Sequence, residues 1–329
     1  MHLDSQPISC KSLENFFGVD GKLLQEQYRE HLSDFKDWAQ KEHAEEYLLF
    51  PHNLDAKASI DETSLSNGEL YTVLTSKEGK GRKGCLIAIV KGTDAESICS
   101  VLKKIPLSQR VKVEEITLDM AGSMNKIAKT CFPKASKVID RFHVQKLAGD
   151  AVQDLRIAHR WEAIKMENRA IKKARVNGEK YKAPIFKNGD TERQLLARSR
   201  YLLFKPPYRW SESQRLRAEI LFENYPDIQT AYDLSSELRN IFSRTKDKGV
   251  AFTKLAHWYD RVEKAGMKSF NIVANSIQTH YTGILNYFDN RSTNASAESF
   301  NAKIKAFRRC FRGVRDIPFF LFRLVNIYA

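Results

Sequence analysis

Apolar positions along the 329-residue chain fall into three regimes. Across residues 11–50 they recur at spacings of three and four, as in Leu23, Leu24, Tyr28, Leu32 and Phe35, which predicts an amphipathic helical leader over residues 1–54. At Pro51 the pattern changes to short alternating or β-branched runs. Residues 56–61 and 69–76 read as strands joined by an Asn67-Gly68 hairpin turn, and residues 84–90 as a third strand. Thr93 with Glu96 forms a capping-box pattern that starts a helix running to about Lys104. Residues 111–118 read as a fourth strand leading into Asp119, residues 123–131 as a short helix stopped before Pro133, and residues 137–139 as a fifth strand. From 144 to 290 no strand pattern remains; the spacing is helical, broken at Asn177-Gly178, Asn188-Gly189 and Pro206-Pro207. A last helix begins near Ala297.

Three strands in hairpin succession, followed by helix, strand, helix and strand, predict an α/β fold: a mixed sheet with helices on its faces. This is the order of elements in a ribonuclease H-like fold. The helical segment that follows is itself about the size of a domain.

At 42% hydrophobic residues the chain can bury a large core, which excludes a disordered polycation. No apolar run approaches the roughly 20 residues of a spanning helix, and residues 1–5 carry neither the basic nor the apolar region of a secretory signal. No membrane partner and a cytoplasmic location are therefore expected. The net charge of +14 is uneven. Residues 1–50 carry a net −5, residues 160–209 a net +9 and residues 299–329 a net +6. Either basic block alone reads as a solvated surface, but two blocks interleaved with aromatics point to a phosphate backbone. Cys10, Cys85, Cys99, Cys131 and Cys310 are odd in number and scattered, which argues against disulfides and a cysteine zinc site and for small buried hydrophobes. Trp161, Trp210 and Trp258 are read as helix core before base stacking.

Two carboxylates stand where strands present them. Asp61 closes the first expected strand and Asp119 the fourth, and strand C-termini are where open α/β sheets build sites. Glu298 opens the last helix. At about 100° per residue, Glu298, Asn301, Lys305 and Arg309 share one face, while Phe300, Ile304, Phe307 and Phe311 share the opposite one and should dock on the sheet. Three carboxylates without Cys or His partners suit magnesium or manganese. Two such ions about 3.5–4 Å apart can activate an attacking oxygen and stabilise the leaving oxygen of a phosphodiester. Asp61 would bridge the ions, with Asp119 on one and Glu298 on the other. Singly, each carboxylate has an ordinary explanation as a strand end, a turn or a helix N-terminus; the case rests on all three fitting one architecture. Asp140 and His143 have the spacing of a metal pair, but one Asp with one His is weak evidence for zinc. A supporting or structural role is expected for them, as for Asn301.

Four blocks carry a resemblance: Ser59-Ile-Asp-Glu-Thr-Ser64, Thr117-Leu-Asp-Met-Ala-Gly122, Val138-Ile-Asp-Arg-Phe-His-Val144 and Asn294-Ala-Ser-Ala-Glu-Ser-Phe-Asn-Ala-Lys-Ile-Lys305. They resemble the signature blocks of bacterial insertion-sequence transposases of the DDE type, ISL-three family, over roughly residues 55–329. The resemblance implies a ribonuclease H-like catalytic core in two parts, residues 55–143 and 291–329, interrupted by an all-helical insertion over residues 144–290. It implies Asp61, Asp119 and Glu298 as the triad, two magnesium or manganese ions, cleavage at element ends and attack of the freed 3′ hydroxyl on target DNA. The partners implied are double-stranded DNA and a second copy of the chain, in the bacterial cytoplasm at the nucleoid. Lys305, Arg308, Arg309 and Arg312, with Lys172, Lys173 and Arg175 in the insertion, are the expected DNA contacts. Full-length members of the family carry an N-terminal zinc-binding and helix-turn-helix module, whereas residues 1–54 here are acidic with a single Cys10; a separate polypeptide, or a truncated upstream reading frame, is expected to supply end recognition. Two other classes stay open: a DNA-binding protein that keeps the fold without cutting, and another ribonuclease H-like nuclease.

Overall fold

The structure, a computed structural model, describes residues 2–65, 68–311 and 314–329. The chain divides into two compact units, one of residues 1–140 with 291–329 and one of residues 141–290.

The first unit is built on six strands: β1 (Tyr47–Leu49), β2 (Lys57–Ser64), β3 (Leu70–Ser76), β4 (Leu86–Lys91), β5 (Glu115–Leu118) and β6 (Ser136–Ile139). Their order is β1-β4-β3-β2-β5-β6. Pairing is antiparallel from β1 to β2 and parallel from β2 through β5 to β6. With the edge strand β1 set aside, this is the mixed sheet of a ribonuclease H-like fold, three strands in hairpin succession and two added in parallel on the other side.

Side chains alternate across a sheet, so its two faces differ. Tyr71, Val73 and Ile89 join Phe300, Ile304 and Phe307 of the Ala295–Cys310 helix and Phe320, Leu321 and Leu324 of the Ile317–Tyr328 helix in one buried cluster. The apolar stripe expected on the last acidic helix does dock on the sheet. The Ala95–Leu102 and Gly122–Cys131 helices pack on each other and on β4 and β5. The loop between β3 and β4 also touches the acidic helix. Lys303 donates to the Gly81 carbonyl, and a Cβ at Gly81, whose φ is +72°, would stand 3.1 Å from the Ser299 hydroxyl.

Several expectations are corrected. The leader is not one amphipathic helix: it breaks into Cys10–Phe17, Gly21–Gln27 and a wider turn at Tyr28–Leu32, then supplies β1. Gly18 in the left-handed region and the Asp20 cap end one helix and start the next. Tyr28 and Phe35 are buried against Phe319 and Phe322, but Leu23 and Leu32 are exposed. Residues 111–114 are not strand. Leu107–Arg110 is a helical turn held by the buried Arg110 guanidinium, which donates to the Ile105 and Cys131 carbonyls at 2.9 and 2.6 Å. The helix start expected at Thr93 is capped instead by Asp94, which accepts from the Ser97 N–H at 2.8 Å. The helix carrying Glu298 starts at Ala295, two residues early, and is not the last of the chain, since the Ile317–Tyr328 helix follows it. Of the hairpin signal, Asn67 lies outside the described residues; Gly68 has φ +83°. All five cysteines are free; four are buried, and Cys310 is exposed.

The second unit is helical apart from an isolated bridge between Ile185 and Thr191. Its longest element, Arg141–Val176, buries residues only as far as Ala163. Gly178 and Gly189, with φ of +71° and +80°, make the expected breaks. Trp258 is fully buried and donates to the Leu234 carbonyl, whereas Trp161 is 59% exposed and does not belong to the core. Among the described residues no helix is long and apolar enough to cross a membrane.

Candidate active site

Asp61 sits in the middle of β2, not at its end as expected, because residues 62–64 keep pairing with β3 up to the hairpin. Ser59 of β2 is in parallel register with Thr117 of β5. Two residues further along lie Asp61, still within β2, and Asp119, just past the end of β5, so continuing the register brings the two carboxylates to neighbouring positions on one face. Glu62 senses both: burial, then the charges of Asp119 and Asp61, push its carboxyl above the usual value.

Local hydrogen bonds fix each group. Asp119 Oδ1 accepts from the Ala121 N–H at 2.8 Å, which turns the chain into the following helix. Asp61 uses both oxygens: Oδ1 accepts from the Glu62 N–H at 2.9 Å and Oδ2 from Asn301 Nδ2 at 2.7 Å. Asn301 Nδ2 also donates to the Glu62 carbonyl at 3.2 Å. At the start of the same helix the Asn294 side chain donates to the Ile60 carbonyl at 3.3 Å, and its N–H donates to Asp140 Oδ2 at 3.1 Å. Asn294, Asn301 and Asp140 are all buried.

Glu298 lies in the first turn of this helix and is exposed. It precedes Asn301 by three residues, about 4.5 Å along the axis. The structure thus brings Asp61 and Asp119 together and sets Glu298 one turn from the Asn301–Asp61 contact. Among the described residues no three His, Cys, Asp or Glu side chains stand close enough to hold an ion together. The donors nevertheless suit a hard cation. They are oxygens only, and the Oδ1 atoms of Asn294 and Asn301 are buried acceptors with no hydrogen-bond partner among the described residues.

Below the carboxylates the same sheet face carries a buried ion pair. Lys77 Nζ donates to Glu115 Oε1 at 3.0 Å and to the Thr117 hydroxyl. Burial lowers the pKa of this ammonium, with Glu115 acting in the opposite sense. The sequence offered a signal for Glu62, next to Asp61, and for Asn294, at the head of the last block. Lys77 and Glu115 had none, since only the strand register brings them under the site.

The expected basic contacts separate. Lys305 and Arg309 are exposed on the acidic helix. Arg308 is half-buried and donates to the Ser64 and Leu65 carbonyls at 3.1 and 3.3 Å, so it anchors the end of β2. Arg312 lies outside the described residues. Lys172, Lys173 and Arg175 are exposed on the Arg141–Val176 helix beyond its last buried residue. His143 lies in the first turn of that helix, its ring edge-on to Phe142 at 5.8 Å.

The profile of a family described as transposase matches residues 58–324. The chain is also 23% identical over 269 residues to the transposase for insertion sequence element IS1001 of Bordetella parapertussis, an alignment covering 81% of this chain and 59% of that protein. It therefore spans about six-tenths of the length of the curated relative it matches. With a match that runs from β2 into the last helix and takes in Asp61, Asp119 and Glu298, the chain belongs to the ISL-three family of DDE transposases.

Proposed function

We propose that the chain is a DNA transposase that cuts phosphodiesters at the ends of an insertion sequence and joins them to target DNA. The observation that carries this reading is that Asp61 of β2 and Asp119, just past the end of β5, each follow the paired Ser59 and Thr117 by two residues, with the Glu298 helix clipped to Asp61 through Asn301. Asp61, Asp119 and Glu298 are the residues that would hold magnesium or manganese. Such ions lower the cost of generating a nucleophilic oxygen and stabilise the leaving oxygen. The chain's own part is to hold the carboxylates in place and aim them. The hydrogen bonds to both Asp61 oxygens fix its orientation. Lys305 and Arg309, on the exposed side of the acidic helix, would take backbone phosphates next to the site. Lys172, Lys173 and Arg175 would do so from the helical unit. Joining two element ends calls for two copies of the chain on DNA.

The test is a cleavage and strand-transfer assay on DNA carrying element ends, with magnesium or manganese, comparing wild type with Asp119→Ala and Glu298→Ala. The reading expects cleavage and joining in the wild type, both lost in the variants, with DNA binding retained. Cleavage without joining would point to a nuclease. Binding without cleavage would point to a protein that keeps the fold for DNA recognition alone.

A further inference from the structure

The Arg141–Val176 helix carries an apolar stripe that its own unit leaves uncovered. Ile157, Trp161, Ile164, Asn168 and Ile171 follow one another at spacings of four, three, four and three. At about 100° per residue they fall within about 80° of each other, while the buried Val144, Ala148 and Val152 point the opposite way. Ile157, Trp161 and Ile171 are 40%, 59% and 42% exposed, Asn168 is exposed and Ile164 is half-buried. Arg193 of the Glu192–Arg198 helix pairs with Glu167 at 3.2 Å, so the long helix stays tied to its unit past Ala163, its last buried residue.

The spacing is that of a heptad repeat, with Trp161 and Asn168 at a and Ile157, Ile164 and Ile171 at d. Such a stripe buries its whole length against another helix of the same spacing, because knobs at a and d enter holes formed by four residues of the facing helix. The polar residue within the stripe selects that helix. Opposite an isoleucine the Asn168 amide would be buried without a partner; opposite a second Asn168, in a parallel pair, the two amides bond each other. We infer that this face of the Arg141–Val176 helix is a dimerisation surface, and that its occupant is the same helix of a second copy of the chain, parallel and in register. Flanking charges nearly cancel in that arrangement: Glu167 opposes Lys172 favourably, and Arg160 opposes Lys165 unfavourably. A DNA backbone is a poor occupant, since Ile157, Trp161, Ile164 and Ile171 offer it no charge. Five seam residues a side are far fewer than the roughly 20–30 of a standard interface, so the dimer is weak and reversible. The helix is already ordered before it pairs, which removes the ordering cost that a free peptide would meet. Pairing gives Trp161, left out of the core, a buried place. The surface stands on the helix and not on the catalytic reading, and it would supply the second copy that joining two element ends calls for.

Sedimentation equilibrium of the full chain without DNA tests the surface over a range of concentrations, beside Trp161→Lys and Ile171→Lys, with circular dichroism showing that both variants fold. Wild type should pass from monomer to dimer as concentration rises. A lysine in the seam meets its own copy across the two-fold axis, so each variant should dimerise roughly 100-fold more weakly, or worse. Orientation is read by disulfide linking in a Cys310→Ser background, which removes the exposed native thiol. Asn168→Cys should give a linked dimer on mild oxidation, because facing a positions of a parallel pair lie within disulfide reach, whereas Arg169→Cys, exposed on another side of the helix, should not. A wild type that stays monomeric at every soluble concentration, or a dimer that either lysine variant keeps at full strength, overturns the inference. So does linking that is no better at position 168 than at 169. Strand transfer enters none of these readouts, so the surface and the catalytic reading stand or fall separately.

Discussion

At the scale of single residues, the chain spends its buried charges in two different ways. Lys77 and Glu115 are a pair with side chains 15% and 5% exposed, beneath the carboxylates. Removing one partner leaves an uncompensated buried charge, so Lys77→Met should cost about 3–5 kcal/mol, while Lys77→Met/Glu115→Gln should recover much of that. Urea denaturation of the two variants checks it; equal losses would show that the pairing is not what matters. In the helical unit Asp190, with a side chain 1% exposed, accepts from Arg217 Nε at 2.8 Å and from Arg198. Burial pushes its carboxyl up, but the hydrogen bonds from Arg217 and Arg198 more than offset this and hold it below its ordinary value. A carboxyl lowered in the folded state binds fewer protons than in the unfolded chain. Its contribution is therefore full above about pH 4 and is lost as pH falls through the folded-state value. Asp190→Asn should melt lower than wild type at pH 7, with the gap shrinking as pH falls below the ordinary aspartate value. A gap of the same size across that range would contradict the assignment.

At the scale of elements, the helix carrying Glu298 is held from both sides. Phe307 is fully buried, stacks on Phe320 at 5.1 Å and meets Phe311 edge-on at 4.9 Å. Phe307→Ala should cost about 3–5 kcal/mol. Because the helix also carries Asn301, the same change should loosen the Asp61 clip, seen as faster hydrogen exchange in residues 295–310. Arg323 of the final helix is fully buried and donates to the carbonyls of Leu3 at 2.8 Å and Ile8 at 3.1 Å. Its guanidinium lies over the Tyr28 and Phe307 rings. Arg323→Met would orphan those carbonyls, so protection from exchange should fall in residues 3–35 while β2 and β5 keep theirs. Uniform loss across the sheet would instead mean that the N-terminal segment is part of the same cooperative block. The elements show which signals were legible. Strands β2 to β6 and the amphipathic Ala295–Cys310 helix could be read from periodicity, because each buries a regular face. β1 could not, since three residues at a sheet edge carry no period of their own. Val111 and Val113 carry strand-forming side chains, but the chain enters them from the Leu107–Arg110 turn that the buried Arg110 holds.

At the scale of the whole molecule, the division into two units has a direct consequence. Residues 141–290 have their own core and their own buried ion cluster around Asp190, and should fold alone, with a cooperative thermal transition followed by circular dichroism. A broad, non-cooperative melt would show dependence on the rest of the chain. The charge blocks also sort differently in three dimensions. In the C-terminal block, Arg323 is buried, Arg308 anchors β2 and Lys303 holds a loop carbonyl, which leaves Lys305 and Arg309 facing out on the acidic helix. If Lys172, Lys173 and Arg175 each neutralise a phosphate, replacing all three with alanine should reduce the slope of log affinity against log salt by about 2–3. An unchanged slope would remove them from the DNA surface.

The sequence by itself determined the α/β class, the succession of strands β2 to β6 along the chain and the family, because periodicity, turn residues and the blocks around Asp61, Asp119 and Glu298 are local properties. Only the tertiary structure decided that Asp61 is held mid-strand, that Asn301 and Asn294 grip β2, that Lys77 lies buried under the carboxylates, and which basic residues face out. Those facts depend on register and on helix-to-sheet docking between residues up to 240 positions apart. Spacing along the chain does not encode such contacts; burial and hydrogen-bond satisfaction in the folded molecule select them.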